Sequence, residues 1–180
     1  MNNTNLSTIW KFADDVDTDQ IVPGRYAPYM RPDEDVGNAA FIEAHPEFNQ
    51  QAKPGDIILA GSNFGCGSSR EYAPLALRRR EVKAIIAKSF ARIFFRNAIN
   101  LGIPVYTAPD LYDQIADQEQ VEFDLQSSLV RVQGREFALP PLPEFAQQTI
   151  EAGGISNFVK QHGTFPGTLS DSKTSLAGGN

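Results

Sequence analysis

Asp56-Ile57-Ile58-Leu59-Ala60-Gly61-Ser62-Asn63-Phe64-Gly65-Cys66-Gly67-Ser68-Ser69-Arg70-Glu71 passes from an apolar run directly into a glycine-rich one. The apolar run follows a Lys-Pro-Gly turn, and a short run bounded in this way reads as a buried strand. Val82 to Ala87 and Ile103 to Ala108 read the same way. Strands without alternation belong to a sheet covered on both faces. Between the first two, Ser69 to Arg80 carries Tyr72, Ala73, Leu75, Ala76 and Leu77 and predicts a helix. Between the second and third, Ala91 to Leu101 repeats Ile93, Phe94, Ala98 and Leu101 at helical spacing. Strand, helix, strand, helix, strand is the pattern of a parallel sheet with crossovers.

Toward the C-terminus the pattern changes. Val121 to Leu139 alternates apolar and polar residues about Gln133-Gly134, as an antiparallel hairpin does. Leu142 to Gln161 reads as a helix weakened at Gly153-Gly154, and residues past His162 offer little to bury. The expected fold is α/β, a mostly parallel sheet flanked by helices with a C-terminal antiparallel hairpin. One domain over 1–165 and a flexible tail over 166–180 are expected.

The 180 residues suit one domain able to remove about two-thirds of its unfolded surface from water. A single cysteine and a net charge of −6 exclude a disulfide scaffold and argue against an unspecific grip on nucleic acid or anionic membrane. No apolar run reaches the roughly 20 residues of a membrane span, so a soluble, cytoplasmic protein is expected. The charge is uneven: residues 1–60, 61–100 and 101–180 carry −6, +6 and −6. Arg78, Arg79 and Arg80 are either a solvated helix face or part of a region that meets an anion or an acidic partner.

Three glycines within residues 61–67 permit tight turns and close backbone approach, and a helix start beyond them would present free N–H groups. The phosphate-binding pattern Gly-Lys-Ser/Thr is missing, and no third glycine completes a dinucleotide fingerprint. Arg70 stands there instead, with a planar fork suited to a carboxylate. Two readings of the loop stay open: a glycine turn with a serine cap and an ion-paired Arg70, or an anion site. His45 and His162, the two histidines, read as solvated, which leaves no hydrolase triad. Cys66 lacks a cysteine partner and neither histidine has a ligand-spaced neighbour, so no metal site is expected in this chain. Asp14, Asp15, Asp17 and Asp19 lack the glycine and closing glutamate of a calcium loop and read as solvated carboxylates. A functional reading sets Asp19 against Arg70 or Arg25.

Three stretches carry a resemblance: Asp17-Thr18-Asp19-Gln20-Ile21-Val22-Pro23-Gly24-Arg25-Tyr26, Gly61 to Pro74, and Ala87-Lys88-Ser89-Phe90-Ala91-Arg92-Ile93-Phe94-Phe95-Arg96-Asn97. In that order they resemble the aconitase superfamily, in particular its stand-alone swivel-domain subunits, the small subunits of 3-isopropylmalate dehydratase and homoaconitase-type enzymes. The resemblance covers about residues 8–165 and implies a swivelling β/β/α domain. It implies a hydro-lyase of leucine biosynthesis that isomerises 2- and 3-isopropylmalate, active only with a large subunit in a heterodimer or heterotetramer. That subunit, by the same resemblance, holds a [4Fe–4S] cluster on three cysteines.

Residue by residue, the resemblance implies Ser68 as the base beside a substrate carboxylate and Asp19 as an active-site aspartate. Ser69 joins the oxyanion environment and Arg70 clamps the carboxylate, with Arg25 near them. The loop Tyr26-Ala27-Pro28-Tyr29-Met30-Arg31 is implied to meet the substrate's variable arm: Met30 suits an isopropyl group, and Arg31, turned inward, suits the extra carboxylate of homoaconitate. Tyr72 stands where many of the family have His, and the residues after His162 are extra, which leaves a dimethylmalate-type substrate as an alternative. A carboxylate- or protein-binding module without catalysis is the reading from a different class.

Overall fold

The computed structural model describes residues 6–168. Its strands are β1 (Ser7–Phe12), β2 (Ile57–Ala60), β3 (Ala84–Ala87), β4 (Val105–Thr107), β5 (Gln120–Asp124), β6 (Leu129–Val132) and β7 (Arg135–Ala138). They form one seven-stranded sheet in the order β4-β3-β2-β1-β5-β6-β7. From β1 to β4 the pairing is parallel, with Ile9 opposite Ile57, Ile57 opposite Ala84 and Ile85 opposite Val105. From β1 through β5 to β7 it is antiparallel. Every residue of β2 and β3 is buried, as their unbroken apolar sequences require of a sheet covered on both faces.

The helices are α1 (Thr18–Ile21), α2 (Pro46–Gln51), α3 (Tyr72–Arg79), α4 (Arg92–Asn100), α5 (Glu144–Glu151) and α6 (Ile155–His162). The expected α/β arrangement is present, and four details differ from the sequence reading. β1 occupies the middle of the sheet yet lacked a strand signal, because Thr8 and Lys11 interrupt its apolar residues. The expected hairpin is a three-stranded meander: β6 and β7 turn at Gln133-Gly134, and β5 joins β6 through an Asp124 turn whose carboxylate accepts from Gln126 N and Ser127 Oγ. The helix expected over Leu142 to Gln161 is two helices parted at Gly153-Gly154, both at positive φ. The helix expected from Ser69 starts only at Tyr72.

Of the expected tail, 169–180 lies outside the described residues. Just before it, Gly167 N donates to Gln148 Oε1 at 2.9 Å. Among the arginines of the middle third, Arg79, Arg92 and Arg96 are exposed, whereas Arg78 and Arg80 meet backbone carbonyls. Arg80 Nη2 donates to the carbonyls of Asn49 at 2.8 Å and Ala52 at 3.1 Å, closing the C-terminus of α2, and Arg78 Nε donates to Leu101 O. His45, expected in solvent, is half-buried against Trp10 and Phe12 and accepts from Phe48 N to cap α2.

Buried Asp56 fixes the register of the central strands. Its carboxylate accepts from Thr8 N at 3.0 Å, Trp10 Nε1 at 2.9 Å and Lys53 N at 2.9 Å, tying β1 to the turn that starts β2. Asp56→Ala strands three donors, so it should cost about 3 kcal/mol of stability and lower the melting temperature by roughly 6–12 °C. Urea and thermal unfolding measure this; a loss below about 1 kcal/mol would show that water replaces the carboxylate.

Candidate active site

The three motifs, far apart in sequence, meet at the carboxyl ends of β1, β2 and β3, where parallel sheets hold their ligands. The segments leaving these strands continue the ladder. Gly65 N donates to Val16 O at 2.7 Å and Thr18 N to Cys66 O at 2.9 Å; on the other side Phe64 N donates to Ser89 O at 3.0 Å and Ala91 N to Phe64 O at 2.9 Å. The glycine loop therefore lies as a middle strand between the other two. Phe64 packs edge-on to Phe90 and Phe94 beneath it. A Cβ on Gly65 would lie 2.1 Å from Phe94 Cγ, and its φ is +78°, so only glycine fits here.

Asp14, Asp15 and Asp19 are exposed, as expected of solvated carboxylates, and each carboxylate of the stretch also has a partner. Asp14 accepts from Ser62 N at 2.6 Å, Asp15 accepts from Asn63 Nδ2 at 2.8 Å, and Asp17 accepts from Gln20 N at 2.7 Å to cap α1. Asp19 pairs through Oδ1 with Arg70 Nη1. Among the described residues no other acceptor meets the Arg70 fork, so its remaining edge is open. Gly24 lies against this pair, where a Cβ would come within 3.9 Å of Arg70 Nη1.

Ser68 and Ser69 are exposed at the crest of the loop. Gly67, at φ +92°, lets the crest turn over Thr18, and Ser68 Oγ lies 3.3 Å from Thr18 Oγ1. Thr18 Oγ1 also donates to Ser68 O at 3.2 Å. With Thr18's proton on that carbonyl, the Ser68 hydroxyl is the donor between the two oxygens; rotating the Thr18 hydroxyl instead offers a proton to Ser68 Oγ. Thr18 was not singled out from sequence. The only trace was its place between two aspartates of the first motif.

The late start of α3 changes the source of the N–H groups. Ala73 N already donates to Arg70 O, Arg70 N donates to Ser68 O, and Pro74 has no N–H, so at the helix start the amides of Glu71 and Tyr72 are those left without a protein acceptor among the described residues. Among the described residues the amides of Gly67, Ser68 and Ser69 donate to no protein acceptor, and the loop itself carries the free donors.

The other expected contacts stand apart from this group. Arg25 pairs with Glu43. Arg31 Nη1 meets both oxygens of Glu34, at 2.9 and 3.1 Å, while its Nε donates to Arg25 O and its guanidinium lies over the Tyr26 ring. Tyr29 and Met30 are exposed, and Tyr29 meets the Tyr72 ring edge-on. Burial pushes the Cys66 thiol up, and the carboxylates of Asp17 and Asp15 push it further, so it is poorly disposed to act as a thiolate. One cysteine cannot supply the three ligands of an iron–sulfur cluster, and among the described residues no cluster of His, Cys, Asp and Glu could hold a metal ion.

What remains is an exposed hydroxyl in contact with Thr18, free amides and an arginine with one edge open. That half-site suits a small carboxylate covered from outside. The homoaconitase small subunit of Thermus thermophilus is 46% identical to this chain over 162 residues, covering 90% of this chain and 99% of that protein. The 3-isopropylmalate dehydratase small subunit of Methanosarcina mazei is 46% identical over 154 residues, covering 84% and 94%. A crystal structure of 3-isopropylmalate dehydratase from Methanocaldococcus jannaschii is similar to this fold with a TM-score of 0.79 at 38% identity, covering 93% of this chain and 97% of that one. The Aconitase C-terminal domain model matches residues 13–109, more than half of the chain, and spans all three converging loops: the chain belongs to the aconitase C-terminal domain family.

Proposed function

We propose that this chain is the small subunit of a 3-isopropylmalate dehydratase-type hydro-lyase, which interconverts 2- and 3-isopropylmalate once a large subunit closes over the Ser68–Arg70 rim. The observation that carries the reading is the pairing on one loop of an exposed hydroxyl, Ser68, with a guanidinium, Arg70, that Asp19 orients without filling. Three curated relatives named as 3-isopropylmalate dehydratase small subunits, each about 45% identical, support it.

A serine hydroxyl is a very weak base in water. It becomes usable where an alkoxide is met by fixed donors and solvent is shut out. Here the free amides of Gly67 to Ser69 and the Thr18 hydroxyl are those donors, and the partner's surface is the cover. Arg70 receives a substrate carboxylate on its open edge. Ser68 Oγ takes the proton from the adjacent carbon, and the electron pair left behind forms the alkene as hydroxide departs from the next carbon, on the partner's side of the cleft. Return of proton and hydroxide to exchanged carbons moves the hydroxyl group.

The family's iron–sulfur cluster is assigned to the large subunit, since this chain has one cysteine. For the substrate arm, the Arg31 fork is occupied by Glu34 and the Arg25 carbonyl, and Tyr29 and Met30 offer exposed apolar surface. That favours an isopropyl arm over an extra carboxylate. Homoaconitate is the second reading, on the strength of the Thermus relative.

The purified chain should convert none of these substrates, and anaerobic reconstitution with its large subunit should bring isopropylmalate isomerisation. Turnover by the chain alone would sink the two-subunit reading; a pair active on homoaconitate only would move the assignment to the second reading. In the reconstituted pair, Ser68→Ala should leave assembly intact and lower kcat by about 10³-fold, measured by alkene absorbance. Arg70→Lys keeps the charge but loses the fork that serves Asp19 and a carboxylate together, so KM should rise at least about 10-fold. An unchanged KM would remove Arg70 from substrate binding.

A further inference from the structure

Among the described residues two buried side-chain oxygens lack a hydrogen-bond partner, Ser7 Oγ and Tyr72 Oη. Ser7 opens β1 at the far end of the sheet. Tyr72 opens α3, two residues past Arg70, and its hydroxyl is buried at the edge of the site.

The surroundings of that hydroxyl are specific. The Arg70 guanidinium carbon lies 5.9 Å from the Tyr72 ring centroid, and the Tyr29 ring lies 6.2 Å away at 67°. Arg70 has donors only, so it cannot accept the phenolic proton. Tyr29 is 71% exposed, which makes it a cover held by little else. Burial raises the Tyr72 pKa; the charge of Arg70 and its reach to the phenol oxygen oppose this, and the nearby Tyr29 hydroxyl adds to it. At neutral pH the group is therefore a protonated donor. A phenol and a guanidinium stand together, and among the described residues no acceptor meets the phenolic proton in hydrogen-bond geometry. An acceptor-only group with several lone pairs satisfies both, and a carboxylate is such a group.

We propose that Tyr72 is a substrate-binding residue: its O–H is the second donor, beside Arg70, to the substrate carboxylate, and Tyr29 covers it until substrate arrives. This rests on the reading of the Ser68–Arg70 rim given above. It has a consequence that packing alone does not produce. In the free chain the hydroxyl is buried without a partner, so its removal relieves a cost; in the complex its removal leaves a carboxylate one donor short. Stability and affinity then move in opposite directions.

The full chain, wild type and Tyr72→Phe, is reconstituted with the large subunit under anaerobic conditions and assayed with 2-isopropylmalate, and each free chain is melted. The expected result is a Tyr72→Phe chain that melts at or above the wild-type temperature, with KM raised about 10-fold and kcat within about threefold of wild type. A phenylalanine variant that melts lower, fails to assemble, or keeps the wild-type KM overturns the proposal. A wild-type pair inactive on every 2-hydroxy acid tested overturns the reading beneath it, whereas an active wild-type pair with an indifferent Tyr72→Phe overturns the assignment of Tyr72 alone.

Discussion

The glycine loop is held as a strand between two other segments by backbone bonds on both of its edges, and the rest of the site depends on this. The bonds from Gly65 to Val16 and from Thr18 to Cys66 fix the first motif against the loop; those between Phe64 and Ser89 and between Ala91 and Phe64 fix the third. Such bonds need backbones within ordinary ladder distance, and Gly65 permits this because Phe94 occupies the space where a side chain would stand. Once the segments are in register, Thr18 falls beneath Ser68 and Asp19 beside Arg70. The side-chain geometry thus follows from backbone pairing, which is more rigid than any loop carrying its own side-chain contacts.

This construction explains how an exposed serine can be positioned without being buried. Its hydroxyl is met from below by Thr18, itself only 2% exposed, while Ser68 is exposed on its other side. On the proposed reading, a site finished on one side and open on the other keeps the serine inert in the free chain, because bulk water competes for every donor that would stabilise its alkoxide. Asp19 plays a comparable part for Arg70. It holds one end of the fork, so on the proposed reading less side-chain entropy remains to be lost when a carboxylate meets the other end.

The parallel half of the sheet was legible because β2, β3 and β4 are continuous apolar runs between Gly, Pro or charged residues. β1 was not, since its Thr8 and Lys11 read as interruptions. Their backbone amides are in fact fed to Asp56 and Asp117, acceptors far away in sequence. The start of α3 was misread for a related reason. The apolar stripe begins at Tyr72, and before it Gly67 at positive φ and the bond from Arg70 N to Ser68 O turn the chain in another way. Of the site, Ser68, Arg70 and Asp19 stood out through motif and resemblance. Thr18 did not, because a threonine is marked by its partner, here 50 residues on, and by nothing local. The pairing of Arg31 with Glu34, three residues apart, could have been read from spacing alone.

The charge pattern of the middle third bears on what the rim can recognise. An excess of +6 over residues 61–100 suggested a broad attraction for anions. Part of that charge is bound into the fold: Arg80 closes α2, Arg78 meets the Leu101 carbonyl, and Lys88 lies 3.6 Å from Asp113 and over the Tyr112 ring. A broad field at physiological salt is screened within about 8 Å, so it would steer anions without choosing among them. What can choose is the open edge of Arg70, because a planar fork rewards a carboxylate in one orientation only. On the proposed reading, a carboxylate so oriented gives the carbon next to it a fixed position relative to Ser68, two residues away, and leaves the identity of the remaining arm to Tyr29 and Met30. On the proposed reading, reactivity is therefore set by the ladder-held loop and substrate choice by the separate segment after Tyr26, so the second can vary without disturbing the first.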